Sequence, residues 1–155
     1  MIQRIQSIYL LAVTILMIVC MCNPVGTLIA NTQEISEFGN LCITLPDGTK
    51  DYAPWALFVI LLIVAILSFG TIFLFKKRML QIRLCAVEMV LLLGSLVLYG
   101  LYYWITVKSF ENFTLEHLQF GWAAPMPIVA LILTYLASRA IFKDEMLVRS
   151  LDRIR

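Results

Sequence analysis

Few side chains in this sequence have the types and spacing to do chemistry: Glu88, four cysteines and one histidine. Glu88 is the only acid inside a long apolar run, Leu84 to Val107. A carboxylate in such a run is costly and often marks a proton or substrate pathway. It follows Arg83 by about 7.5 Å of helix, which predicts a place near the membrane interface. There it would snorkel or pair with a basic residue, against the sharper reading of ion coupling and a third of contact with a partner helix.

Cys20 and Cys22 fall near the outer end of the first apolar run, and Cys42 lies in the polar segment beyond it. Cys22 with Cys42 is the candidate disulfide if that side is oxidising, against a reading of inert buried thiols. A quinone-linked thiol oxidase would need a close pair such as Cys-x-x-Cys, and Cys20-x-Cys22 has the wrong spacing for one helical face. Cys85 falls on the reducing side. His117 has no second histidine for a metal site and reads as a solvated loop residue. Asn112-Phe113-Thr114 matches a glycosylation sequon, a pattern short enough to arise by chance. No phosphate-binding loop, zinc spacing or nucleophile elbow occurs, so neither a catalytic residue, a metal, a cofactor nor nucleic acid is expected.

The segments that position these residues are dominated by hydrocarbon. The chain has 155 residues, 61% hydrophobic and 14% charged, with a mean hydropathy of +0.91. Soluble domains run about 45–50% apolar and about 25% charged. Four long runs are apolar, and about 20 residues cross a bilayer core. The spacing predicts helices over 5–28, 53–75, 84–107 and 118–142 within one membrane domain. A loop over 29–52, a loop over 76–83 and a tail over 143–155 connect and follow them. The first run is too long for a cleaved signal peptide.

Asn31 to Asp51 carries four acids against Lys50 and a turn signal at Pro46-Asp47-Gly48. Leu41–Leu45 and Lys50–Tyr52 around that turn predict a small hairpin. Tyr99, Tyr102, Tyr103 and Trp104 read as a headgroup-level aromatic cluster. Ala130, Thr134, Ala137 and Ser138 form a small-residue stripe suited to close helix contact or a homo-oligomer.

Charge sets the direction. Arg4, Lys76, Lys77, Arg78, Arg83, Arg139, Lys143, Arg149, Arg153 and Arg155 fall on one side, and only Lys50 and Lys108 on the other. The positive-inside rule then predicts an all-α, antiparallel four-helix bundle with both termini cytoplasmic and 29–52 periplasmic. Leu147, Val148, Leu151 and Ile154 recur at helical spacing, predicting an amphipathic C-terminal helix that lies on anionic headgroups or docks a partner.

Three stretches carry a resemblance: Met1-Ile2-Gln3-Arg4-Ile5-Gln6-Ser7, the segment Ile72 to Leu84 around Lys76-Lys77-Arg78-Met79-Leu80-Gln81-Ile82-Arg83, and Asp144 to Arg155. Through them the chain resembles a family of small bacterial inner-membrane proteins catalogued as domain of unknown function 4293. The resemblance implies a four-helix protein of a Gram-negative cytoplasmic membrane and brings no activity with it.

The function expected is a non-enzymatic accessory or scaffold subunit of a membrane-protein complex. Its contacts with a partner or with lipid headgroups would come from Lys76, Lys77, Arg78, Gln81, Arg83, Arg149, Asp152, Arg153 and Arg155. The alternatives are a small ion-coupled transporter using Glu88 and, after it, a lipid- or quinone-linked enzyme.

Overall fold

The computed structural model describes residues 3–30, 33–44, 49–74, 77–109 and 115–152. Its elements in chain order are α1 (Gln3–Cys22), β1 (Gly26–Ala30), β2 (Gln33–Phe38), β3 (Ile43–Thr44), β4 (Lys50–Asp51), α2 (Trp55–Phe73), α3 (Arg78–Ser109), β5 (Leu115–Phe120) and α4 (Met126–Asp152). All four helices are long and apolar enough to cross a membrane.

Each helix starts and stops for a local reason. α1 ends where Asn23 turns back, its Nδ2 donating to Val19 O at 2.8 Å, and Pro24 forbids continuation. α2 begins after Pro54, behind a turn in which Asp51 Oδ1 accepts from Ala53 N–H at 3.0 Å. α4 opens with Pro127 in its first turn, where a missing N–H costs nothing.

α1 packs on α2 and α4, and α3 packs on the same two. Two apolar clusters hold them. One contains Val13, Met17, Leu61, Val64, Leu92, Met126 and Ala130; the other contains Leu10, Cys85, Ala137 and Ile141. The outward positions are apolar as well, among them Ile8, Ile15, Ile66, Phe69, Val90, Val97 and Ile132. A helix that is apolar all round fits a hydrocarbon surrounding.

The sequence predicted an all-α chain, and the fold corrects this. Five strands form an antiparallel sheet in the order β4-β3-β2-β1-β5, at the helix ends where α1 and α3 finish and α2 and α4 begin. The uncharged strand β1 lies next to the edge strand β5, pairing with β2 on one side and β5 on the other. The hairpin read from the sequence is present as β3 and β4, while its turn, Pro46 to Gly48, lies outside the described residues. The helix expected over 5–28 therefore stops at Cys22, and the one expected from 118 starts at Met126. Gly26–Ala30 is apolar and Leu115–Phe120 mixes apolar and polar residues, and such short runs pair as strands when partners are at hand.

At the opposite end the expected loop over 76–83 shrinks. Arg78 to Arg83 already belong to α3, whose first turn is set by Lys77 O accepting from Leu80 and Gln81 at 3.0 and 3.1 Å. Arg, Met, Leu and Gln are all good helix formers. α3 is 32 residues long, about 48 Å at 1.5 Å per residue, well over a bilayer core of about 30 Å. α4 continues unbroken through Asp152, so the tail over 143–152 extends that helix.

The sheet docks closely at Gly121, whose N–H donates to Val25 O at 2.8 Å. A β-carbon there would meet Pro24 O at 2.9 Å and Val25 O at 3.1 Å, both backbone atoms. Gly121→Ala is expected to cost about 1–3 kcal/mol. Gly70→Ala, with nothing within 4 Å of its β-carbon, should leave the melting temperature level or raise it. Thermal unfolding of both variants in detergent checks the contrast.

Candidate functional site

Two constellations emerge from the helices, and they lie at different depths. The first is a layer of polar side chains between the two apolar clusters. Ser68 on α2, Glu88 on α3 and Thr134 on α4 each fall between residues of one cluster and those packed in the other, and Thr14 on α1 follows Val13 of the first cluster. Ser68, Glu88 and Thr134 expose no surface at all. The hydroxyls discharge their protons on backbone carbonyls: Thr14 and Ser68 both donate to Leu10 O, at 3.0 and 2.9 Å, and Thr134 to Ala130 O at 2.9 Å.

Glu88 was expected near an interface, where it would snorkel or pair with a basic residue; among the described residues it is buried and has no basic partner. Because α3 starts at Arg78, Glu88 lies about 15 Å inside the helix. Its Oε1 is 3.4 Å from Thr71 Oγ1, and its Oε2 is buried without a hydrogen-bond partner. Gln81, expected as a surface contact, is buried too and donates to Thr71 O at 2.9 Å, satisfying a carbonyl in the last turn of α2.

The second constellation is a groove where α3 begins and α4 ends. Lys77, Arg78, Met79, Leu80 and Arg83 line it with Glu145 and Val148, around a volume of about 590 Å³. Arg78 Nη1 crosses to α4 and donates to Asp144 O at 3.3 Å, while Gln6 Nε2 of α1 donates to Asp144 Oδ2 at 3.1 Å. The two basic stretches of the sequence thus meet. Arg149 and Asp152 belong to the last turns of α4; Lys76, Arg153 and Arg155 lie outside the described residues.

The cysteines separate into three settings. Cys20 and Cys85 are buried. Cys22 is exposed and Cys42 half-buried; both are free thiols that line one crevice of about 200 Å³ with Asn23, Gly39 and Asn40. His117, expected in a loop, is in β5 opposite Ile29. The sequon Asn112-Phe113-Thr114 lies outside the described residues.

The latch between sheet and helices was not read from the sequence. Tyr99, taken there as a headgroup anchor, turns inward and donates to Asn40 Oδ1. Asn40 Nδ2 in turn donates to Cys20 O at 2.6 Å and Asn23 O at 3.3 Å. Val25, Phe38 and Ile43 pack around this point with Tyr99 and Tyr102. Tyr103 and Trp104 do face outward, and Lys108 Nζ lies 4.5 Å from the Trp104 ring centroid. An Asn that caps two carbonyls of a terminating helix from outside its own segment has no periodicity to reveal it. Asn40→Ala, which orphans those carbonyls, should cost about 1–3 kcal/mol. Tyr99→Phe and the double variant should show coupling of about 0.5–3 kcal/mol in unfolding measurements, since the two residues share one network.

Four helices of this length and composition make the chain a multi-pass membrane protein. No curated protein matches it. The family model described as domain of unknown function (DUF4293) matches residues 2–154. With nearly the whole chain covered, the protein belongs to the DUF4293 family.

Proposed function

We propose that this chain is a non-enzymatic accessory or scaffold subunit of a bacterial inner-membrane complex. It acts as an antiparallel four-helix bundle with both termini in the cytoplasm, and it receives an acidic segment of a partner protein in the groove between α3 and α4. The observation that carries this reading is the groove itself: Lys77, Arg78 and Arg83 surround the apolar side chains Met79, Leu80 and Val148. A mixed basic and apolar trough suits an acidic amphipathic segment, and anionic lipid headgroups share its electrostatic half. Ten of the chain's Lys and Arg residues fall on the side of this groove by sequence position, which supports a cytoplasmic placement. A small ion-coupled carrier is the second reading, favoured by Glu88, a carboxyl buried without a basic partner among the described residues.

Affinity capture of the tagged chain in a gentle detergent tests the first reading. Wild type should retain a partner in fixed stoichiometry, and Lys77→Gln/Arg78→Gln/Arg83→Gln should lose most of it. Lys50→Gln/Lys108→Gln, with changes at the sheet end, should retain it. A clean monomer that holds no protein would overturn the scaffold. The orientation has its own check: a membrane-impermeant maleimide should reach Cys22 and Cys42 from the periplasmic side only, and labelling from the cytoplasmic side alone would reverse the topology.

A further inference from the structure

The layer around Glu88 is short of hydrogen-bond donors. Thr71 carries a single hydroxyl proton, and it has two acceptors: Leu67 O at 2.7 Å and Glu88 Oε1 at 3.4 Å. The shorter contact is the better bond, so Glu88 receives little from it. Thr14, Ser68 and Thr134 spend their protons on carbonyls, so each hydroxyl has only lone pairs left to offer. Among the described residues Oε2 has no hydrogen-bond partner. A carboxyl sealed among oxygen lone pairs lacks positive charge, and an uncompensated buried charge is among the costliest arrangements in a fold.

The side chains facing this layer do not supply that charge. α1 contributes Thr14, α2 contributes Ser68 and Thr71, and α4 contributes Thr134. On α3 the neighbouring ionisable group is the Cys85 thiol, which packs with Leu10, Ala137 and Ile141, and Tyr9 of α1 packs against the same cluster. None of these is cationic. Of the basic residues that begin α3, Arg83 is exposed and Arg78 donates to Asp144 O.

We infer that Glu88, with the hydroxyl oxygens of Thr14, Ser68, Thr71 and Thr134, forms a binding site for one small monovalent cation, a proton or a sodium ion, between the helices. The chemistry is that of hard oxygen donors, and one carboxylate balances one positive charge. The polar seam from Thr71 to Gln81 leads from the layer toward the basic end of the helices. Binding requires no transport and no partner, so the site stands apart from the groove; it shares Glu88 with the carrier reading and deepens that reading alone.

The test uses wild-type protein in detergent or in liposomes, treated with a hydrophobic carbodiimide. The neutral carboxylic acid gives its proton to a carbodiimide nitrogen, the carboxylate oxygen bonds to the central carbon, and the adduct rearranges to a stable N-acylurea. Peptide mapping should find this adduct at Glu88, and Glu88→Gln should abolish it. If the ion is sodium, added sodium but not potassium slows labelling several-fold at constant pH. If it is a proton, labelling ignores sodium and falls by about tenfold for each pH unit beyond the proton's loss. Exposed Glu37 and Asp51, labelled by a water-soluble carbodiimide, should show no sodium dependence. Ser68→Ala and Thr134→Val, close in size to the native residues, should weaken the sodium effect while Glu88 remains reactive. Absence of a Glu88 adduct in folded wild type, or labelling indifferent to both sodium and pH, would overturn the inference.

Discussion

A polar group that lies among apolar helices must find its partner inside the chain, because no water is there to supply one. This constraint shapes nearly every polar choice in the helices. Thr14, Thr71 and Thr134 each bond a carbonyl four residues back on their own helix, which removes the cost of the hydroxyl without requiring a neighbour. Ser68 goes further and reaches Leu10 O on α1, so its hydrogen bond also fixes the approach of α1 and α2. In a hydrocarbon surrounding such contacts, with close packing, take over part of what water exclusion does in soluble cores.

The same constraint explains how the sheet is fastened. A helix that ends below a sheet presents carbonyls with no intrahelical donor, and here Asn23 and Asn40 satisfy Val19, Cys20 and Asn23 carbonyls between them. Tyr99 then holds the Asn40 amide in the orientation that this task needs. Three elements distant in sequence are tied by one amide. Glu88 stands out against this economy, since its Oε2 is buried and unmatched while its neighbours are matched.

The groove at the other end follows a different logic. There the polar groups are at the helix termini, and the basic side chains line one groove with Met79, Leu80 and Val148. Arg78 and Gln6 converge on Asp144, which draws α1, α3 and α4 together at that end. The basic segment is thus held by the helix it opens, which gives the charges a fixed spacing that a loop would not.

Hydrophobic run length and charge bias are properties of the chain itself. The sequence alone therefore determined four apolar helices, the hairpin at β3 and β4, the grouping of basic residues and the family. What it did not determine depends on neighbours. Gly26–Ala30 and Leu115–Phe120 become strands because each finds the other across the sheet, and an isolated short run has no way to declare that partner. Tyr99 and Glu88 were legible as residue types, but the direction each faces is set by helix rotation against α1 and α2. That rotation follows from the packing of Leu10, Leu61, Val64 and Leu92, which only the tertiary structure decides.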